Sequence, residues 1–399
     1  VPGLREWKGH SGNFSLSENS RIVVADDSLL ETADMIAYYF KEMLKTDIDV
    51  VSGTANAGDI YLALNDKAEL GSEGYEIEIA DKVTVGAYTN KGVLYAGTSI
   101  TQILYQSADK ATMPKGLVRD YPQYEVRGIG FDLGRFYMPL DYLEEVTKYM
   151  AYFKVNEARI HLNDDYGEQI RAFRIESKKY PIINSALNPL EVYSQEDYKN
   201  YQKEVKKFGV EVISEIDTPA HSGLAYLYDP KFVLSTNSTY LDLENPDVLP
   251  FVKSLFDEFL DGEDPVFQSN TFHIGTDEYT KDKSELVRAY MDELINYVSD
   301  KGLDVRMWAS LGTNGFDGKT PVSNNATVNH WAKGWASIDE MIDAGYNVIN
   351  NYGPYLYAVP GKDTPYSDYI NVEGVYNYWE ANQCEITIPE SNPKMKGSE

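Results

Sequence analysis

Val210-Glu-Val-Ile-Ser-Glu-Ile-Asp-Thr-Pro-Ala-His221 is a short apolar run that breaks off into a carboxylate, a Thr-Pro turn and a histidine. Gln195–Phe208, just before it, has the spacing of an amphipathic helix, and Val210–Ile216 reads as a strand. The same unit recurs on both sides. Strands are expected at Glu125–Asp132, Ala158–Leu162, Thr271–Ile274, Val305–Leu311, Thr327–Trp331 and Asn347–Asn351. Helices are expected at Leu140–Phe153, Val248–Leu260, Lys283–Lys301 and Ser337–Ala344. Short apolar strands alternating with long amphipathic helices form a parallel sheet or barrel. The strand candidates number seven, one short of a (β/α)8 TIM-type barrel.

Upstream the rhythm differs. Phe14–Val24 alternates in part and turns at Asp26-Asp27, and Ser28–Leu44 has helical spacing. Asp59–Leu64 and Gly74–Ala87 read as strands, the second turning near Asp81-Lys82, and Gly92–Gln106 as a further helix. The expected organisation is a small α/β domain over residues 1–122 and a barrel over 123–399, incomplete at its C-terminal end.

Composition narrows the function. Of 399 residues, 36 are Lys or Arg and 63 are Asp or Glu, a net charge of −27. Such a surface repels phosphate backbones and anionic lipid, so neither nucleic acid nor membrane is an expected partner. No apolar run reaches the roughly 18 residues that span a bilayer. The single cysteine, Cys384, excludes an internal disulfide and a cysteine-rich zinc site. The 32 tyrosines fill cores, yet also suit stacking on sugar rings. The chain opens on Val1 without a basic and apolar leader, and export to the cell surface or medium, of a bacterial type, is the expectation.

Barrel chemistry sits at the carboxyl ends of the strands, and there the polar residues of this chain gather. The first strand runs into Asp132 and Arg135, the second into His161-Leu-Asn-Asp164-Asp165, the third into Glu215-Ile-Asp217-Thr-Pro-Ala-His221. The fourth gives His273-Ile-Gly-Thr-Asp277-Glu278-Tyr279. Trp308, His330-Trp331 and Tyr352 with Tyr355 come after them. Four of the five histidines lie at these ends. Any one of them could be a satisfied structural residue, Asp217 could hold a turn, and the tryptophans could fill barrel layers. Five successive strands ending alike favour a shared site.

Of the chemistries open to such a site, zinc binding by His161, His221 and Asp277 lacks a metal-binding spacing, and no metal or other cofactor is expected. Ser/His/Asp catalysis lacks a Gly-x-Ser-x-Gly elbow, and phosphate-binding Gly-rich loops are absent. The adjacent acids Asp277 and Glu278 are more telling. Neighbours on an extended strand point to opposite sides, so they would not flank one glycosidic bond as acid and nucleophile. One can protonate the leaving oxygen while the other orients a 2-acetamido group that serves as nucleophile.

At these residues the chain resembles glycoside hydrolase family 20, the β-N-acetylhexosaminidases and lacto-N-biosidases. Arg127-Gly-Ile-Gly-Phe-Asp132-Leu-Gly-Arg135-Phe-Tyr, Lys154-Val-Asn156 with His161-Leu-Asn-Asp164-Asp165, Glu215-Ile-Asp217-Thr-Pro-Ala-His221-Ser, and His273-Ile-Gly-Thr-Asp277-Glu278 resemble its successive barrel motifs. Gly74–Leu104 is similar to its amino-terminal domain. Thr276 and Ser214 stand where the family most often has Gly and Pro. The Val1–Trp7 opening and the His-Ile-Gly-Thr-Asp-Glu-Tyr variant lean toward the lacto-N-biosidase-like branch.

The resemblance implies that Glu278 is the general acid and then the base, that Asp277 holds the acetamido N–H, and that Tyr355 donates to the acetamido oxygen. It makes Asp164 and His221 the network that tunes Glu278, with a pKa expected to be raised by the neighbouring acids. Arg135 and His161 would bind substrate, with Trp308 and Trp331 walling the acetamido pocket. Trp379, in Trp379-Glu380, is the candidate for the Trp-x-Glu that the family carries on an eighth strand, although Gly374–Gln383 looks like the segment before that strand. The implied partner is a glycan bearing a terminal N-acetylhexosamine; oligomeric state is not legible. Two other readings stand beside the retaining exo-glycosidase: a lacto-N-biosidase releasing a disaccharide, and a non-catalytic carbohydrate-binding protein on an incomplete barrel. A metal-dependent barrel hydrolase is the outsider.

Overall fold

The computed structural model describes residues 3–166, 170–359 and 367–399. Val1 and Pro2 of the Val1–Trp7 opening lie outside the described residues. The chain divides into two compact units, Val1–Gln123 with Val146–Val155 and Glu204–Val210, and Tyr124–Glu145 with Asn156–Lys203 and Glu211–Glu399.

The first unit is built on a mixed sheet in the order Glu6–Ser15, Thr112–Asp120, Tyr75–Ile79, Val83–Ala87, Ile60–Leu64, Arg21–Val24, Asp49–Ser52. The helices Leu30–Tyr39 and Asn90–Gln106 lie together in this unit. The second begins where Thr89 accepts a hydrogen bond from the Gly92 amide at 3.2 Å, an N-cap. It is buried almost continuously from Gly92 to Gln102. A Cβ at Gly97 would meet the Ile36 side chain at 2.3 Å, so only glycine lets the two helices approach this closely. Three of these strands were not expected from the sequence. Glu6–Ser15 is exposed almost throughout and carries no apolar alternation, Thr112–Asp120 contains a proline, and Asp49–Ser52 is only four residues long.

The second unit is a closed eight-stranded parallel barrel. In chain order its strands are Val126–Asp132, Glu157–His161, Glu211–Thr218, Thr271–Gly275, Asp304–Trp308, Thr327–His330, Asn347–Asn350 and Met395–Ser398. The last overturns the expectation of seven strands and an incomplete barrel. Met395–Ser398 pairs in parallel with both Asn347–Asn350 and Val126–Asp132 and shuts the ring. Its sequence, Met-Lys-Gly-Ser, lacks the β-branched apolar run that marks the others, because only Met395 and Gly397 face inward and are buried.

Parallel register places chemistry in rows. Asp132 lies opposite His161, His161 opposite Glu215, Glu215 opposite His273, and His273 opposite Arg306. A barrel interior is ordinarily layered with Val, Ile and Leu. Here one row is polar and buried, and its charges are paired: Arg159 with Glu215 and Glu399, and Arg306 with Glu157 at 2.6 and 2.8 Å. Removing one partner of such a pair strands a buried charge, at a cost of about 3–5 kcal/mol. Glu399 comes directly after the eighth strand; its carboxylate accepts from Asn329 at 2.9 Å and is all but fully enclosed.

Candidate active site

The fourth strand ends at Gly275, and the backbone beyond it is not extended. Gly275, Thr276 and Glu278 have φ of +75°, +82° and +48°, and His221 on the third-strand loop has +53°. A non-glycine residue held there costs on the order of 1–3 kcal/mol, and such residues gather at functional sites. At Gly275 no side chain fits, since a Cβ would stand 1.7 Å from Asp217 Oδ1. This corrects the expectation that Asp277 and Glu278 point to opposite sides. Left-handed backbone turns both toward one histidine: His221 Nε2 is 3.1 Å from Glu278 Oε2 and 4.0 Å from Asp277 Oδ1. Behind the acids, Tyr279 is buried and donates to the Leu241 carbonyl at 2.6 Å, anchoring the loop.

His221 is held in turn. Its Nδ1 lies 3.0 Å from Asp164 Oδ1, and Asp164 Oδ2 receives His161 Nε2 and Arg135 Nη2, both at 2.8 Å. Arg135 also grips Asp132 at 2.5 Å, tying the first strand to the second. Asn163 clamps the second strand to the third. Its amide donates to the carbonyls of Asp217 and His221 at 2.8 and 2.9 Å, and its oxygen accepts the Asp217 N–H at 2.8 Å.

Electrostatics separate the carboxyl groups. The hydrogen bond from His221 holds Glu278 below the usual carboxylate range, which corrects the expectation that neighbouring acids raise it. Burial alone would raise Asp164, but the facing His221 and His161 outweigh it and hold it ionised. His221 loses by burial and gains more from Asp164, so its imidazolium form is favoured. Asp277 goes the other way, pushed up to about 6 by burial, with the Glu278 charge adding to the shift. Asp217, fully enclosed and facing Asp277, is pushed well above its ordinary value. Oxygens of the two carboxyls lie within 4.8 Å of each other, and Asp217 Oδ2 and Asp277 Oδ1 have no hydrogen-bond partner among the described residues. Two like charges this close disfavour double ionisation, and deep burial favours the neutral form at Asp217.

Asp164, His221, Asp277, Glu278, Arg135 and His161 therefore converge. His161 is not free to bind substrate as expected: both ring nitrogens face carboxylates, Asp164 at 2.8 Å and Glu215 at 3.0 Å. Trp308 is buried, its indole N–H donating to Glu215 Oε1 at 2.8 Å and its ring edge-on to His273, so it belongs to the barrel interior. Trp331 comes just after the sixth strand and is 9% exposed, its indole nitrogen without a protein partner among the described residues. Tyr355 stands at the seventh strand's end, 48% exposed, with its ring against Tyr352. Among the described residues no hydrogen bond joins it to the acid pair. Trp379 ends the helix Val372–Tyr378 and donates to the Gln383 carbonyl at 3.2 Å, a contact within its own loop; the eighth strand carries no tryptophan.

Sequence reasoning misses Asp217, which reads as a turn residue, and passes over Asn163 and Glu215 as strand-end polars. A signal exists for two of them: Glu215 and Asp217 both sit in the apolar run 210–216 or directly after it, where an acid is costly unless partnered. Donor atoms of Asp217, His221 and Asp277, of His161, Glu215 and Asp217, and of Asp132, His161 and Asp164 lie close enough to reach a common ion. Each set contains groups already engaged in the hydrogen bonds above.

The family models for the glycosyl hydrolase family 20 catalytic domain and for domain 2 of that family match residues 124–399 and 1–121. The chain belongs to glycosyl hydrolase family 20. The lacto-N-biosidase of Bifidobacterium bifidum is 27% identical over 381 residues, covering 88% of this chain and 32% of that protein. A beta-hexosaminidase of Vibrio furnissii is 25% identical over 432 aligned positions, covering 96% of this chain and 68% of that protein. This family 20 chain thus spans about a third of the first relative and two thirds of the second. Among solved structures, the GH20 beta-N-acetylhexosaminidase from Streptomyces coelicolor superposes with a TM-score of 0.80 at 19% identity, over 99% of this chain and 84% of that one. At that identity the likeness supports the fold. Among the described residues no helix is long and apolar enough to cross a membrane.

Proposed function

We propose that this family 20 chain is a retaining glycosidase that removes a terminal β-linked N-acetylhexosamine with the substrate's own 2-acetamido group as nucleophile. The observation that carries the reading is the convergence of two adjacent acids on one histidine, Glu278 at 3.1 Å and Asp277 at 4.0 Å from His221 Nε2. Glu278 is hydrogen-bonded to His221, and Asp277 faces the buried Asp217. A group whose proton moves readily to and from a neighbour suits general acid and then general base catalysis. Asp277, ionised above about 6, accepts the acetamido N–H and stabilises positive charge as the amide oxygen attacks the anomeric carbon. Glu278 protonates the leaving oxygen, then takes a proton from the water that opens the ring. Two displacements return the original configuration. Arg135, between Asp132 and Asp164, presents charge to sugar hydroxyls at the mouth.

Closure of the barrel removes the ground on which a non-catalytic binding protein was entertained. Release of a disaccharide is a second reading, favoured by the 27% identity to a lacto-N-biosidase. The test compares aryl N-acetyl-β-glucosaminide, aryl β-glucoside and aryl lacto-N-bioside, with the first-formed anomer followed by proton NMR. The mechanism expects no turnover of the glucoside, which lacks the nucleophile, and a β product from whichever acetamido substrate is cleaved. Equal turnover of the glucoside, or an α product, would contradict it.

A further inference from the structure

Beyond Asp164 the network continues inward along the polar row of the barrel. Glu278, His221, Asp164, His161 and Glu215 alternate carboxylate and imidazole, with successive N to O separations of 3.1, 3.0, 2.8 and 3.0 Å. The outer end is a Glu278 side chain 40% exposed and the inner end a Glu215 side chain at 0%. Glu215 is fixed at its inner end by Arg159 and by the Trp308 indole N–H.

His161 lies between two carboxylates: its Nε2 is hydrogen-bonded to Asp164, and its Nδ1 stands 3.0 Å from Glu215 Oε1 without hydrogen-bond geometry. Two carboxylate charges at this range favour the imidazolium form. His273 is the other histidine near Glu215, at 3.6 Å, and it behaves oppositely. Its Nδ1 accepts the Gly275 amide at 3.2 Å and so bears a lone pair. Burial first, with the nearby Arg159 and Arg306 cations opposing its charge, holds it neutral down to about 3. Of the two, His161 takes the charge.

We propose that His161 and Glu215 are positioning residues for the acid/base. Held as an imidazolium by Glu215, His161 compensates Asp164 and limits how strongly Asp164 draws the shared proton from Glu278 onto His221. The exchange balances: the Glu278 O–H breaks as the His221 Nε2–H forms, with no other species involved. The inference rests on Glu278 being the proton donor proposed above. The groups facing His161 are Asp164 on its own segment, Asp132 from the first strand, Glu215 from the third with Asp217 beyond it, His221 at 6.3 Å between rings, and His273 from the fourth. Around Glu278 stand His221, Arg135, Asp164 and Asp277.

Without the His161 charge, Asp164 is less compensated, His221 holds the shared proton more tightly, and less of it resides on Glu278 at any pH. In His161→Gln and Glu215→Gln the plateau of kcat/KM falls, and its alkaline limb, where the pair loses that proton to solvent, moves up by about one pH unit, the size of a nearby charge effect. An alkyl N-acetyl-β-glucosaminide, which needs the acid, loses at least about tenfold more rate than a dinitrophenyl one, which does not. The proteins are labelled with 15N histidine, and the chain's five histidines give a tractable spectrum. The parent shows two rings protonated on both nitrogens at about pH 8, above the free value of about 6.5, those of His221 and His161, and one of the two signals is lost in His161→Gln. An unmoved limb with equal losses on both substrates would overturn the proposal. So would a parent spectrum with only one such ring or none, a result that stands even if neither variant folds. Glu278→Gln is run alongside: if it keeps the parent's rate on the alkyl substrate, the proton-donor reading itself fails, whereas the 15N result still judges His161.

Discussion

Replacing Asp217 by Ala removes the carboxyl group against which Asp277 is poised. Asp217 is buried to within 1% of full enclosure, accepts the Thr276 amide at 3.1 Å and lies within 4.8 Å of Asp277; it is expected to carry a proton directed at Asp277. A hydrogen bond to an ionised group is worth about 1.5–3 kcal/mol, and one pH unit corresponds to about 1.36 kcal/mol. Losing the donor therefore raises Asp277 from about 6 by about one to two pH units. Asp277 acts ionised, so a raised value means that activity disappears at higher pH as the solution is acidified. The acid limb of kcat/KM on an aryl N-acetyl-β-glucosaminide moves up accordingly, while the alkaline limb stays. Asp217→Asn keeps an N–H toward Asp277 and an oxygen for Thr276, and its limb moves less than half as far. Thermal unfolding, measured beside the rates, reports the unpaired Thr276 amide in the Ala variant as a loss of about 1–3 kcal/mol. A limb that does not move in Asp217→Ala, or that moves equally in both variants, would refute the shared proton.

The same geometry sets further outcomes. Gly275→Ala places a methyl 1.7 Å from Asp217 Oδ1 at φ +75°, and it lowers stability by at least about 1–3 kcal/mol in thermal unfolding; an unchanged midpoint would contradict the close approach. Trp308→Phe removes one donor from Glu215, costing about 1 kcal/mol in denaturant unfolding, and leaves KM near the parent's; a large rise in KM would place the indole in the sugar pocket after all. Prolonged treatment with a chelator leaves the rate unchanged. Loss of activity restored by a divalent cation would favour a metal held by Asp217, His221 and Asp277.

How far the sequence was legible depends on the physics of each element. The barrel strands from Glu157–His161 to Asn347–Asn350 announce themselves by short apolar stretches, because nearly every residue in them is buried. Met395–Ser398 does not, since a strand closing a ring over a polar interior row needs only small inward residues, and Gly397 approaches Val126 too closely for any Cβ. The edge strand Glu6–Ser15 faces solvent and shows no pattern. For the site, the acid and histidine at successive strand ends identified the cluster. The arrangement within it was not available, because a residue with φ near +48° or +82° cannot be told from an extended one by spacing. That is why Asp277 and Glu278 were expected to diverge and instead meet at His221. Burial likewise decides between roles that residue type leaves open. His161 and Trp308 look like ligand-binding side chains until their polar atoms are seen engaged inside the barrel, whereas Tyr355 is half exposed and Trp331 keeps an indole nitrogen without a partner among the described residues.

The most direct test is release of aryl alcohol from an aryl N-acetyl-β-glucosaminide by this chain, with Glu278→Gln beside it and binding of N-acetylglucosamine measured for both. The account predicts turnover by the parent, a rate on the order of 10²–10⁴-fold lower in the variant, and similar ligand binding. Turnover by the variant at the parent's rate would contradict it.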